Sequence, residues 1–295
     1  MELKTLIKRN IKLFFRDKGL FFTALITPVI LLVLYMTFLS NIYKDSYTSI
    51  LAGIEIPERM MGGLVGGQLM SSVLAVCSVT VAFCSNMLMV QDKVHGQRTD
   101  FLISPLKPHT LALSYYISTV ISTVTVAFFA AAVGFIYLGI VGWYLNIIDI
   151  LLVLSDVFLL VMFGTALSSI VNMFLTTQGQ ISAVGSVISS GYGFLCGAYM
   201  PISQFGEGLR NIISFLPGTH GMSLLRNHML APVFDEMKSY PLTEEQFDIF
   251  YETVDMKITL FDNSVGLGTM TAVLCVSIAV LILIYVLLNK RNDRA

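Results

Sequence analysis

Long apolar segments alternate with short polar ones along most of the chain. A membrane-spanning helix needs about 20 mostly apolar residues, and six segments have about that length. They cover residues 20–40, 63–90, 111–140, 148–173, 178–199 and 264–288. The pattern therefore predicts an all-α polytopic membrane protein with six transmembrane helices.

A basic amphipathic segment precedes the first apolar run. Residues 1–19 carry apolar side chains at three- and four-residue steps and Lys or Arg on the other faces. The apolar positions are Leu3, Leu6, Ile7, Ile11 and Phe14. This arrangement predicts an elbow helix along the inner leaflet, where its cations meet anionic headgroups. A topology signal without a further role is the alternative.

The distribution of charge predicts the orientation. Only 13% of the 295 residues are charged, and 55% are hydrophobic. Segments 1–19, 91–110 and 289–295 contain 12 of the 18 basic residues, whereas 13 acidic residues lie in the segments of the opposite side. Because Lys and Arg collect on the cytoplasmic side, we expect both termini there. The acidic outer face and the net charge of −1 argue against nucleic acid as a partner.

The sequence contains no arrangement typical of an enzyme or a metal site. Its four histidines and four cysteines lack the spacing of metal ligands, and no Gly-x-x-x-x-Gly-Lys-Ser/Thr motif for nucleotide binding occurs. We therefore expect no catalytic residues, no metal and no cofactor in this chain.

Two helices carry rows of small residues that favour close helix packing in membranes. The second apolar segment has Gly62, Gly63, Gly66 and Gly67 at four-residue steps. The fifth has Gly185, Ser189 and Gly193, for which we predict packing in a dimer, with a helix of the same chain as the alternative.

Asp156 is the one charged residue well inside a predicted span, about 13 Å from the start of its helix at 1.5 Å per residue. Such a group by default faces a bundle interior or a water-filled cavity, so Asp156 is a candidate pore or gate residue. A structural carboxyl group hydrogen-bonded to Ser or Thr is the alternative.

Two longer connections stand out. The segment 91–108 mixes charges with Phe101, Leu102 and Ile103, which suits docking onto a soluble partner. The segment 199–262 is acidic and contains a predicted helix after Thr243, whose hydroxyl can cap the first turn.

The stretch from Ser190 to Pro201, followed by 209–217 and Leu224-Leu-Arg226, resembles the permease subunits of ABC-2 type transporters. In that family these features mark the fifth span and outer re-entrant helices between spans 5 and 6. The run 96–105 is similar to the cytoplasmic coupling segment of the family. It departs at His95 and Gln97, where the family usually has an acidic residue and a Thr.

The resemblance implies roles for named residues. Coupling to an ATPase is implied for Gly96, Arg98, Asp100, Phe101, Leu102 and Pro105. A gate is implied for Gly197, Pro201, Pro217 and Arg226. The implied domains are an elbow helix (1–19), an ABC-2 type transmembrane domain (20–290) and a cytoplasmic tail (291–295).

The resemblance also implies partners: a cytoplasmic ATPase subunit that binds ATP and Mg, a second or sister permease, and membrane lipids. Export of a lipophilic drug, antimicrobial peptide or lipid-like molecule from a bacterial cell is the function we expect. A permease for a polysaccharide or teichoic-acid-type cargo and an ion-gradient-driven secondary transporter are the alternatives.

Overall fold

The computed structural model describes residues 3–103, 106–260 and 263–292, apart from the side chains of Leu102, Arg291 and Asn292. Of this structure 84% is helical, which confirms the all-α class. The first six helices are α1 (Leu3–Arg16), α2 (Lys18–Leu34), α3 (Ser40–Leu51), α4 (Glu58–Val94), α5 (Gln97–Ile103) and α6 (Pro108–Val141). The other six are α7 (Ile147–Phe174), α8 (Gln178–Leu195), α9 (Glu207–Ser214), α10 (Pro217–Met237), α11 (Glu244–Thr253) and α12 (Leu267–Asn292).

Three short elements complete the fold in the described residues. A π-helical turn at Tyr35–Leu39 joins α2 to α3, and a 3-10 turn covers Ile202–Gln204. Strands β1 (Ile258–Leu260) and β2 (Asn263–Val265) form an antiparallel hairpin in which Ile258 lies opposite Val265. This hairpin was not predicted from the sequence.

Five helical stretches in the described residues are long and apolar enough to cross a membrane. They are Lys18–Leu51, Glu58–Val94, Pro108–Val141, Ile147–Phe174 and Leu267–Lys290, and they correspond to five of the six predicted spans. The remaining predicted span, 178–199, forms α8, which ends at Leu195 and has 18 residues. Its many Gly and Ser residues lower its hydropathy, so the structure does not confirm six spans.

Helix α4 is the centre of the bundle. Its most apolar 18-residue window is completely buried inside the chain, and α2, α6, α7, α8 and α10 pack around it. A helix that is apolar on all sides is expected to be enclosed in this way.

The glycines of α4 allow this close packing, as predicted. A Cβ atom on Gly66 would lie 2.9 Å from Leu138 Cδ2 of α6, and one on Gly67 would lie 2.6 Å from Leu230 Cδ2 of α10. Small residues let helix backbones approach in lipid, so this row sets the distance between α4 and its neighbours.

The small residues of α8 meet side chains of their own chain. A Cβ atom on Gly185 would lie 2.8 Å from Met87 Cε, and one on Gly193 would overlap the Tyr199 ring. The Tyr199 hydroxyl also donates a hydrogen bond to Ser189 O at 3.1 Å. These contacts agree with the alternative of packing within the same chain, and a role of the row in a dimer stays a prediction.

The first and last helices, α1 and α12, meet at the same end of the bundle, because both contact the first turns of α6. Asn10 of α1 donates to Ser114 Oγ at 3.5 Å, and Tyr285 of α12 donates to Ala112 O at 3.3 Å. The apolar face of α1 is buried, with Leu6 and Phe14 at most 1% exposed.

We predict that Gly142→Ala destabilises the fold. A methyl group there would overlap Arg59 O and lie 2.7 Å from Gly63 N, and overpacking of this kind costs about 1–3 kcal/mol. The measurement is the thermal unfolding midpoint of the protein in detergent. Gly139→Ala is the control, because nothing lies within 4 Å of a Cβ atom at that position. Equal midpoints for the two variants would contradict the prediction.

Candidate functional site

Arg9 is the centre of a polar cluster at the end of the bundle that holds both chain ends. Its Nη1 donates to Asp92 Oδ2 at 2.6 Å and its Nη2 to Asp92 Oδ1 at 3.0 Å. Nη2 also donates to Gln97 Oε1 at 2.6 Å. The guanidinium lies 5.1 Å from the centre of the Phe101 ring, and the Tyr115 hydroxyl donates to the same Asp92 carboxylate. These five residues, the Arg9 cluster, join α1, α4, α5 and α6.

The chemistry of the Arg9 cluster favours a fixed geometry. Asp92 is 3% exposed and Arg9 is 22% exposed, so the pair is partly shielded from water. The hydrogen bond that Arg9 donates to Asp92 raises the pKa of the Arg9 guanidinium, which therefore stays charged. A forked guanidinium–carboxylate contact fixes direction as well as distance.

Lys93 joins two helix ends at the same end of the bundle. Its Nζ donates to Asn172 O at 3.2 Å, to Met173 O at 2.7 Å and to Leu175 O at 3.2 Å. These carbonyl groups end α7, where backbone acceptors lack partners within the helix. Lys93 thus holds the end of α4 against the end of α7.

The predicted coupling residues lie in different surroundings on and beside α5. Gly96 has φ +78° at the turn from α4 into α5, a conformation that glycine adopts readily. Phe101 is half-buried beneath Arg9, and Arg98 is half-buried in a cavity with Lys93. Asp100 is exposed. Pro105 and the side chain of Leu102 lie outside the described residues.

Arg226 joins several chain segments at the end of the bundle opposite the Arg9 cluster. It is fully buried, and its Nη1 donates to Asp255 Oδ2 at 2.5 Å, while Nη2 donates to Gly197 O at 2.8 Å. Asp255 in turn accepts a hydrogen bond from Ile202 N at 2.9 Å. Burial raises the pKa of Asp255, and the positive charge of Arg226 opposes this shift.

Three of the predicted gate residues, Gly197, Pro201 and Arg226, meet around this ion pair. Gly197 has φ +78°, and a Cβ atom there would lie 2.7 Å from Ile202 Cγ1. Pro201 directly precedes Ile202 and is buried. Pro217, the fourth gate residue, is the first residue of α10, a position that suits its missing N–H. The Thr219 hydroxyl ties this helix start to α8 through Leu195 O at 3.1 Å.

Asp156 has a partner that the sequence did not reveal. Its Oδ2 lies 2.5 Å from His228 Nδ1, and the side chains are 6% and 18% exposed. The structure thus places a histidine beside this carboxyl group, where the alternative interpretation had a Ser or Thr. His228 lies on the 21-residue α10, most of which is buried. Arg226 and His228 are two residues apart on α10 and hence on opposite faces, so Asp156 is separate from the Arg226 ion pair.

A groove of about 560 Å³ runs between α2 and α8. Its walls contain apolar side chains and serine hydroxyls, and no described lining residue is charged. The lining includes Ile30, Leu34, Tyr35, Ser186, Ser190 and Phe194. Tyr35 closes one part of it through a hydrogen bond to Ala198 O.

Sequence reasoning missed several residues that organise these sites, namely Arg9, Asp92, Lys93, Tyr115, His228 and Asp255. Arg9 is one of several cations on α1, and nothing in its spacing distinguishes it from Lys8 or Lys12. Asp92 was within the segment predicted to couple to an ATPase, but its partner is 83 residues away in sequence. Only the tertiary structure identifies these pairs.

The comparisons with known proteins agree with the sequence resemblance. The family model for the ABC-2 type transporter matches residues 1–230, a range that includes α5, α8, α9 and the first part of α10. A comparison with curated proteins found no significant match. Because the family model covers well over half of the chain, this protein belongs to the ABC-2 type transporter family.

Proposed function

We propose that this chain is the permease subunit of an ATP-driven exporter in the bacterial plasma membrane. Membership of the ABC-2 type transporter family supports an ABC permease. In our proposal the chain has no enzymatic activity and no cofactor of its own, and separate cytoplasmic ATPase subunits bind ATP and Mg.

The observation that carries the proposal is the Arg9 cluster. A push on α5 by an ATPase subunit would reach Gln97 and Phe101, which contact the Arg9 guanidinium. Arg9 would pass this displacement to α4 through Asp92. A short helix tied by charged hydrogen bonds to the ends of long helices suits the transmission of motion.

The location of the chain ends supports the proposed topology. Helices α1 and α12 both contact the same end of α6, which fits an even number of membrane crossings. With α8 counted as the sixth span, its 18 residues give about 27 Å, close to the thickness of the hydrocarbon core. The charge distribution then directs both termini, α1 and α5 toward the cytoplasm, with α1 as the elbow helix on the inner leaflet and α9 and α10 as the outer re-entrant helices.

We assign the cargo path to the groove between α2 and α8. The described residues along it are uncharged, which favours a lipophilic drug, an antimicrobial peptide or a lipid-like molecule over a long polar glycan. The Arg226 ion pair lies where α8 ends, so it would hold the outer side of this path in place.

A second permease copy, or a sister subunit, would pack beside this groove. The row Gly185, Ser189 and Gly193 faces its own chain, whereas Ser182, Ser186 and Ser190 form an exposed row on the same helix. Val187 beside them is 67% exposed. The exposed row therefore offers the small-residue surface that helix packing in membranes uses.

A gradient-driven secondary transporter is the second candidate. The observation that favours it is the buried contact between Asp156 and His228, because ionisable pairs inside membrane proteins often mark proton pathways.

We predict that the protein isolated from its native membrane carries a stoichiometric ATPase subunit and that ATP hydrolysis drives cargo export. The measurement is mass spectrometry of the intact complex, followed by cargo transport in vesicles with and without ATP. Under this proposal, Asp156→Asn retains ATP-driven export, because Asp156 does not line the groove assigned to the cargo. Transport that ignores ATP, follows a proton gradient and is lost in Asp156→Asn would support the second candidate instead.

We predict that Arg9→Lys lowers the amount of cargo exported per ATP hydrolysed several-fold while the complex still assembles. Lysine keeps the charge but cannot make the forked contact with Asp92 or the stacking on Phe101. The measurement is export and ATP hydrolysis by the same reconstituted complex. Arg16→Lys is the control, because Arg16 is exposed at the end of α1. An unchanged ratio in Arg9→Lys would count against the Arg9 cluster as the coupling element.

We predict that Ser182→Trp reduces the fraction of dimeric permease, because a large ring on the exposed row of α8, outside the groove lining, prevents close approach. Native mass spectrometry of the purified protein measures this fraction. Ile136→Trp adds the same ring to an exposed position of α6, 68% exposed in the native chain, and should leave the dimer intact. The interface is elsewhere if both variants remain equally dimeric.

A further inference from the structure

Two adjoining cavities lie at the end of the bundle that holds the chain termini. The larger, about 490 Å³, lies between α6 and α12 and has mostly apolar walls. The smaller, about 20 Å³, lies beneath α5. Ala112 and Asn289 line both cavities, so an apolar groove leads directly to a polar pocket.

The polar end of this pair of cavities is basic. Arg98 and Lys93 line the smaller cavity, and His109 and Lys290 line the larger one. No Asp or Glu is among the described residues that line either cavity. The nearby Asp92 carboxylate is already bound by Arg9 and Tyr115.

The cations at this end lack acidic partners. No ion pair within residues 3–103, 106–260 and 263–292 includes Arg98, Lys93 or Lys290. Lys93 donates only to uncharged backbone carbonyl groups. Several positive charges therefore line one site without an acidic partner among the described residues. Such a site attracts an anion.

The apolar end of the groove opens to the outside of the bundle. Leu113 is 44% exposed and Val286 is 54% exposed, and both lie on helices long and apolar enough to cross a membrane. A hydrocarbon chain can reach this groove from the bilayer. A free phosphate ion would bind the cations but would leave the apolar groove empty. The two adjoining cavities therefore favour a ligand that has both an anionic group and an acyl chain.

We propose that this site binds an anionic phospholipid of the leaflet on the side of the chain termini. Its phosphate group lies against Arg98 and Lys290, and one acyl chain lies between Leu113 and Val286. Basic pockets between transmembrane helices are suited to anionic headgroups, and a guanidinium matches the geometry of a phosphate.

Lipid at this site would contact α5 directly. Arg98 belongs to the same short helix as Gln97 and Phe101 of the Arg9 cluster, so the bound phosphate restrains α5 from its other side. The binding itself does not depend on the proposed ATPase partner or on cargo.

The test is native mass spectrometry of the purified full-length chain in a neutral detergent, titrated with phosphatidylglycerol or with phosphatidylcholine. We expect about tenfold tighter binding of phosphatidylglycerol. Arg98→Gln and Lys290→Gln should each weaken it about fivefold, since one basic residue near a membrane surface contributes about 1 kcal/mol. Lys12→Gln is the control, because Lys12 is exposed on α1 and does not line either cavity.

A second arm tests the acyl chain. Leu113→Trp fills the groove without changing any charge and should weaken phosphatidylglycerol binding, and millimolar inorganic phosphate should not displace the lipid. The proposal is overturned if the two lipids bind equally or if Lys12→Gln weakens binding as much as Lys290→Gln does. Displacement of the lipid by phosphate would also overturn it.

Discussion

The complete burial of α4 is the constraint on which the rest of the structure depends. Five other helices pack around this one helix, and backbone groups in a membrane interior must find partners inside the protein. Its glycines bring α6 and α10 close, and its hydroxyl groups bond to its own backbone, as Ser78 does to Leu74 O. Asn86 reaches Ser168 and Ser169 of α7. Hydrogen bonds within the protein therefore hold the central helix in place and replace bonds to water.

Pairs of ionisable side chains join parts of this bundle at three separate levels. Arg9 and Asp92 join elements at the end with the chain termini, Asp156 and His228 join α7 to α10, and Arg226 and Asp255 join segments at the opposite end. Removing charges from water is costly, so buried pairs specify an arrangement more than they add stability. Each pair joins residues distant in sequence and thus selects one packing of helices that apolar contacts alone would leave less defined.

The same arrangement separates the proposed tasks. The Arg9 cluster and the basic lipid site border the two sides of α5, where an ATPase subunit would act. The groove between α2 and α8 lies elsewhere and is uncharged along its described lining. Helix α4 contacts elements of both regions, and under the proposed function a displacement at α5 would reach the cargo path through it.

The helices could be predicted before the fold was known, because apolar length and helix caps are local properties. Five predicted spans and the Thr243 cap of α11 agree with the structure. The family followed from local motifs as well. Helix packing in three dimensions decided which ionisable side chains meet, since Arg9 and Asp92, or Asp156 and His228, are more than 70 residues apart. It also decided that Gly193 faces Tyr199 of its own chain. Helix periodicity places a side chain on a face, whereas packing decides what that face contacts.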